Sequence, residues 1–334
     1  VYPHPLNLLP LYFVQHIKPV VKVLIFAVRQ GVIILLKKIA LVIFCSGLFL
    51  TAVGCNTPNA ANKTGPDPAR EQKTSGIMNK FQSVVQKNAS VEEVAGFINN
   101  NIMDVSPEDG SKMVDEFERL QKEYLPQLEN IFFAWDIQDK INSEYNSITD
   151  QSEIKDTGLR ELITGIRNNG YRVETAEGMY FPIIDYEFYK KFKAHVTADR
   201  QDYIDIMAVE SSNVPAKDAA LVIGWDEVVK RALNQERFIN THTKSAKINE
   251  IKQLQQKYVT FTLYGCNNTP LFSYDTETFN PQAREVYLNT VANSNNSEFI
   301  KDLEGFLDVA AKNDYKLTSE VNQYRTSVSK KYSE

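Results

Sequence analysis

From Ser90 to Thr318 the chain is punctuated by helix-start signals, each followed by apolar residues at three- and four-residue spacing. Ser90 with Glu93 makes a capping box ahead of "VEEVAGFINNNIM". Ser106, Pro107, Glu108 and Asp109 supply a cap, a first-turn proline and first-turn acids. In the segment that follows, Met113, Val114, Phe117, Leu120 and Leu125 share one face. Pro126 reads as the start of a further helix over "PQLENIFFAWDIQDKINSEY". Residues 152–167 carry Leu159, Leu162, Ile163 and Ile166 at helical spacing, with Asn168-Asn169-Gly170 as a stop. Asp226-Glu227 open another helix, Ser245 caps one that Gly265 ends, and Asn280-Pro281, Ser297 and Thr318 begin three more.

Alternating strand-like runs are scarce, and "YRVETAEGMYF" is the best of them. The expected fold class is therefore all-α: about ten helices in a single irregular domain over residues 77–334. Two α subdomains divided near 170–185 are the alternative. A chain of this length can bury a core without disulfides. That matters because Cys45 and Cys55 lie in or beside an apolar segment, which leaves Cys266 without a partner.

Charge is unevenly distributed. Lys18, Lys22, Arg29, Lys37 and Lys38 precede Cys55 with no acid among them, leaving 32 of the 37 Lys/Arg against all 42 Asp/Glu beyond it, net −10. An acidic domain is unsuited to nucleic acid, whose phosphates demand clustered Lys/Arg, so nucleic-acid binding is not expected.

Two lysines, Lys37 and Lys38, are followed by fifteen uncharged residues, 39–53, then Gly54 and Cys55. The run fits a secretory h-region and is shorter than the roughly 20 residues that span a bilayer as a helix. Ala52, Val53, Gly54 and Cys55 resemble the lipobox of bacterial prolipoproteins: an aliphatic residue, two small positions and cysteine, with Ala52 standing where leucine is usual. The resemblance implies diacylglycerol transfer to the Cys55 thiol, cleavage after Gly54 and, often, an N-acyl chain (palmitate or similar) on the new amine. Residues 37–54 are then a signal peptide and 55–76 a lipidated tether, since 56–75 hold no aromatic or branched apolar side chain. The protein is expected on the extracytoplasmic face of the cell membrane, held by its lipid. Residues 1–36 begin with Val and fit no ordinary signal. They read as an extension upstream of a start near 32–36, or as an extra hydrophobic segment, and are set aside from the fold.

Metal and phosphate signatures are not found: no HExxH, paired cysteines, Asp-rich calcium loop or phosphate-cradling glycine loop occurs. No metal and no dissociable cofactor is expected. Cys266 reads as a small buried hydrophobe, with a reactive thiol as the alternative. The most unusual stretch is 170–196, where aromatic residues mix with Glu177, Asp185 and Glu187. Tyr180, Phe181, Asp185, Tyr186 and Tyr189 are the candidate binding groove, because rings stack on sugar faces while carboxylates accept hydroxyl hydrogen bonds. Packing of the same rings into the core is the alternative. Two carboxylates among Glu177, Asp185 and Glu210 facing one cleft within roughly 5–9.5 Å would allow glycoside chemistry. The loop 264–281 reads as packed, with a groove cover as its alternative.

The segments "AEGMYFPIIDY", "AVESSNVPAKDAALVIGWDEVVKRALNQERFI" and "YGCNNTPLFSYDT" resemble uncharacterised bacterial cell-surface lipoproteins. That resemblance implies a lipid-anchored envelope protein, non-enzymatic, with a protein or cell-wall partner, some of this kind being tied to surface or colony architecture. A cell-wall glycan-active enzyme using paired carboxylates is the alternative.

Overall fold

The computed structural model describes residues 68–87, 89–144, 151–294 and 297–333; the expected leader, signal segment, Cys55 and the tether as far as residue 67 lie outside the described residues. The architecture is all-α. Eleven α-helices occur among the described residues: α1 Pro68–Gln86, α2 Val91–Asn101, α3 Pro107–Phe132, α4 Trp135–Ser143, α5 Thr157–Asn168, α6 Ala198–Ser212, α7 Trp225–Thr241, α8 Ile248–Tyr264, α9 Pro281–Asn293, α10 Glu298–Lys312 and α11 Ser319–Lys331. Three antiparallel hairpins interrupt them: β1 Tyr171–Ala176 with β2 Met179–Ile184, β3 Ala216–Lys217 with β4 Ala220–Leu221, and β5 Gly265–Cys266 with β6 Thr269–Pro270.

The caps act as their chemistry dictates. Ser90 Oγ accepts from the Glu93 amide (3.2 Å) while the Glu93 carboxylate accepts from the Ser90 amide (2.8 Å), closing the capping box. Ser106, Asn280, Ser297 and Thr318 each accept from an amide in the first turn of α3, α9, α10 and α11. Gly265, at φ +74°, ends α8 where a side chain would meet the Thr269 carbonyl.

Three local expectations are corrected. Residues 68–76, expected as tether, form the first half of α1, whose Ile77 and Phe81 enter the core; Lys73 pairs with Asp104 at 2.8 Å. Pro126 does not begin a helix but sits inside α3. An interior proline removes one helical hydrogen bond and costs about 3 kcal/mol. Burial of Met113, Val114 and Phe117 before it, and of Leu128 and Phe132 after it, offsets that cost. The helix expected from Ser245 starts later: Lys247 is its N-cap, and Ser245 Oγ accepts from the Lys247 amide (3.1 Å).

The described residues form one unit containing two hydrophobic clusters. The first gathers α1–α6 with the β1–β2 hairpin, and so contains the 170–185 segment. The second gathers α9–α11 and the 271–279 loop, where Leu271, Phe272 and Phe279 are buried. Helices α7 and α8 serve both. Phe238 and Ile251, at their connected ends, belong to the first cluster; Trp225, Val228, Val259 and Leu263, at the far ends, belong to the second. An antiparallel helix pair is thus the shared spine.

Close packing within the first cluster shows at Gly110 in the first turn of α3. A Cβ there would lie 2.2 Å from the His195 carbonyl oxygen. Gly110→Ala gains roughly 0.8–1 kcal/mol of helix propensity. Overpacking against rigid backbone costs about 1–3 kcal/mol. The expected outcome is net destabilisation, read as a lower urea midpoint with unchanged slope.

Candidate functional site

The sequence "VETAEGMYF" folds as a two-residue hairpin because Glu177 (φ +50°) and Gly178 (φ +73°) both adopt left-handed backbone, the geometry that matches strand twist. Ala176 pairs with Met179 next to the turn, and Tyr171 pairs with Ile184 at the base. Asp185 then caps a ten-residue 3₁₀ helix, Tyr186–His195, by accepting from the Glu187 amide (3.1 Å). A 3₁₀ helix has three residues per turn, so Tyr186, Tyr189 and Phe192 line up on one face.

That face points inward. Tyr186, Tyr189 and Phe192 are all nearly fully buried, with Tyr186 and Tyr189 stacked at 5.2 Å. Phe117 of α3 meets Tyr189 at 5.5 Å and Phe192 at 6.4 Å. Of the five groove candidates, Tyr180, Tyr186 and Tyr189 therefore belong to the first core, while Phe181 and Asp185 are half-buried beside it. The rings sit in the interior because a short helix with a three-residue period concentrates its aromatics on one side.

Three polar side chains hold this aromatic layer in register. Glu118 of α3, 2% exposed, accepts from the hydroxyls of Tyr186 and Tyr203 (2.6 Å each), from Lys247 (2.6 Å) and from Lys122 (2.7 Å). Burial alone would raise its carboxyl, but Lys247 and Lys122 outweigh burial and hold it at about 2. Burial, reinforced by Glu118, pushes both phenols well above their ordinary range, so they remain donors. Gln121, one turn on, accepts from the Tyr189 hydroxyl and donates to the carbonyls of Asn169 (2.6 Å) and Gly170 (3.0 Å). Gln138 of α4 pairs with the free edge of β2: its amide accepts from the Tyr180 N–H (2.9 Å) and donates to the Tyr180 carbonyl (2.8 Å).

Glu177 and Asp185 are held apart, and Asp185 and Glu210 are each engaged in structural contacts. Glu177 is at the exposed hairpin tip and Asp185 just beyond its base, about 20 Å apart at strand rise. The Glu177 amide donates to Asp218 (3.0 Å), which ties that tip to the β3–β4 turn. Asp185 lies near the end of α6, where the Tyr186 amide donates to Ser211 Oγ (3.0 Å), but its carboxylate is spent as a cap. Glu210 accepts from Arg231 (3.1 Å), Lys257 (3.2 Å) and the Tyr258 hydroxyl. Each acid is occupied with a structural partner or stands alone.

Glu210 instead marks one end of an open cleft of about 150 Å³ between α6 and α7. The Glu210–Arg231 pair at one end and Asp202–His242 (2.8 Å) at the other set the two helices antiparallel. Between these ends lie Ile206 and Val209 from α6, and Gln235 and Phe238 from α7. Gln235 is fully buried, yet neither amide atom has a hydrogen-bond partner among the described residues; the same holds for Arg231 Nη2. A buried polar group left unpaired costs about 1–3 kcal/mol, so three such atoms on two residues of one cleft's lining set it apart from ordinary helix packing.

Among the described residues no group of His, Cys, Asp and Glu could hold a metal, and no helix is long and apolar enough to cross a membrane. Cys266 is half-buried, and burial pushes its thiol up to about 11, which disfavours the nucleophilic thiolate. No family model, curated protein or solved structure matches this chain. Apart from Glu210, the cleft residues were not foreseen from the sequence, although a signal exists: Arg231 and Gln235 are polar residues at core spacing on an otherwise apolar helix face.

Because Glu118 is held near 2 in the folded chain against an ordinary 4.5, its contribution is full above about pH 5 and is lost as pH falls toward 2. The shift corresponds to roughly 3 kcal/mol. Glu118→Gln is expected to lower stability by about that amount at pH 7 and by little near pH 2. Urea unfolding at both pH values checks it; an equal deficit at both would refute the charge-based account.

Proposed function

We propose that this chain is a lipid-anchored envelope protein on the extracytoplasmic face of the membrane, whose helical domain binds a partner and performs no chemistry of its own. The observation that carries the binding reading is the α6–α7 cleft, with its buried and unpartnered Arg231 Nη2 and Gln235 amide. The engagement of Asp185 and Glu210 by structural partners, and the distance of Glu177, favour binding over a carboxylate-pair hydrolase. Burial of Tyr180, Tyr186 and Tyr189 moves the binding surface from the aromatic segment to this cleft.

The anchoring reading rests on Ala52-Val53-Gly54-Cys55 and on the uncharged run before it. A diacylglycerol thioether on Cys55 would place two acyl chains in the membrane, and two chains hold a protein durably where one is marginal. The twelve residues between Cys55 and Pro68 would then be the link from the lipid to α1. A cell-wall component or a second envelope protein is the class of partner this position favours.

Two measurements test the reading. Cys55→Ser should shift the protein from the membrane to the soluble or unprocessed fraction, and intact mass of the wild type should show cleavage before Cys55 plus acyl chains. Unmodified full-length protein in wild-type membranes would sink the anchor. Separately, Asp185→Asn and Glu210→Gln should leave glycan release from purified cell wall at background, equal to the wild type; release by the wild type that either variant abolishes would restore the enzyme.

A further inference from the structure

We propose that the α6–α7 cleft is a receptor for an acetamido group, presented by an N-acetylated amino sugar or an N-acetylated amino acid. The proposal rests on the binding reading above and is independent of the anchor.

Charge does not favour the simpler ligands. Four acids, Asp202, Asp205, Glu210 and Glu227, and three cations, Lys230, Arg231 and Arg237, line the cleft, so its lining carries no excess positive charge to draw an anion. Each acid already faces a partner: Asp202 meets His242 (2.8 Å), Asp205 meets Lys193 (2.5 Å), Glu210 meets Arg231 and Lys257, and Glu227 meets Lys230 (2.9 Å) and Arg231. A cation would therefore have to displace an existing ion pair. The buried groups left over are neutral in their demand or already compensated: one guanidinium N–H of Arg231 and the primary amide of Gln235.

The complement of those groups is specific. A carbonyl oxygen has two lone pairs and can accept from both Arg231 Nη2 and the Gln235 NH₂. The Gln235 carbonyl then needs a donor, which an adjacent amide N–H supplies. Either orientation of the Gln235 side chain offers the same donor and acceptor pair. A carboxamide unit satisfies all three atoms at once from a separate acceptor and donor that match the separate donor and acceptor of the Gln235 amide, and a carboxylate has no donor to give. The cleft also has apolar wall from Ile206, Val209 and Phe238, which suits the acetamido methyl. Its volume of about 150 Å³ is of the order that encloses a benzene ring, enough for the acetamido unit and the edge of what carries it. Val209, 41% exposed, stands where a bulkier side chain would obstruct the cleft.

The test uses the full chain in detergent and ligand-observed NMR with N-acetylglucosamine, N-acetylalanine amide, glucosamine, glucose and acetate. Saturation is expected at the acetamido methyl of the first two compounds and not with the other three; their relative affinities separate the sugar source from the amino-acid source. Gln235→Met removes both orphaned amide atoms at similar volume, so it should weaken binding about tenfold, the size of one to two hydrogen bonds, without lowering the melting temperature. Val209→Trp should block binding in a folded protein. Absence of acetamido binding, binding unaffected by both variants, or a Gln235→Met melting point several degrees below wild type would each overturn the proposal. A cell-wall digest separates the two levels. If wild type but not Val209→Trp depletes only fragments lacking acetyl groups, the acetamido assignment fails and the binding reading stands; if neither depletes anything, both fail.

Discussion

A single buried carboxylate organises the first half of this fold. Glu118 receives hydrogen bonds from the 3₁₀ helix through Tyr186, from α6 through Tyr203, from α8's N-cap through Lys247, and from its own helix through Lys122. Four segments far apart in sequence are thereby fixed to one atom pair in a low-dielectric interior, where an unmatched charge would be prohibitive. Arg200 repeats the logic beside it, forking onto Asp115 with two bonds of 2.7 Å while reaching Ser245. Such groups contribute less to net stability than to uniqueness of arrangement: an alternative packing would leave Glu118 or Arg200 buried without its partners.

The α7–α8 spine extends the same principle to the second half. Arg231, 3% exposed, is matched by Glu210 and Glu227 and meets the Tyr258 hydroxyl at 2.9 Å. Glu236 accepts from the Phe299 amide (3.0 Å) and so helps to cap α10 from a different helix. Gln235 stands between Arg231 and Glu236 with its own amide unpaired.

Much of the helical layout was legible in the sequence because capping is local. Ser90, Ser106, Asn280, Ser297 and Thr318 satisfy amides within three residues of themselves, and no tertiary information is needed to place them. The extended chain in "YRVETAEGMYF" was legible from its residues, whereas its turn at Glu177 and Gly178 was not foreseen. Pro126 and the 68–76 segment were misread because local rules lose to burial: the apolar face of α3 continues past the proline, and α1 extends outward from a buried Ile77 and Phe81. The aromatic segment was ambiguous, since ring composition suits a groove or a core equally well, and only the direction of the 3₁₀ face distinguishes them.

By itself, the sequence determined the all-α class, the positions of most helix starts and the step from an uncharged run to Cys55, each a matter of residues close along the chain. Tertiary structure alone decided that Tyr186 and Tyr189 are interior, that Glu177 and Asp185 stand at opposite ends of a hairpin, and that Arg231 and Gln235 line one cleft. The reason is physical: which face of a helix is buried, and which polar groups find partners, depends on segments that approach only when the whole chain has folded. Glu118 and Lys247, 129 residues apart and 2.6 Å from contact to contact, are the plainest case.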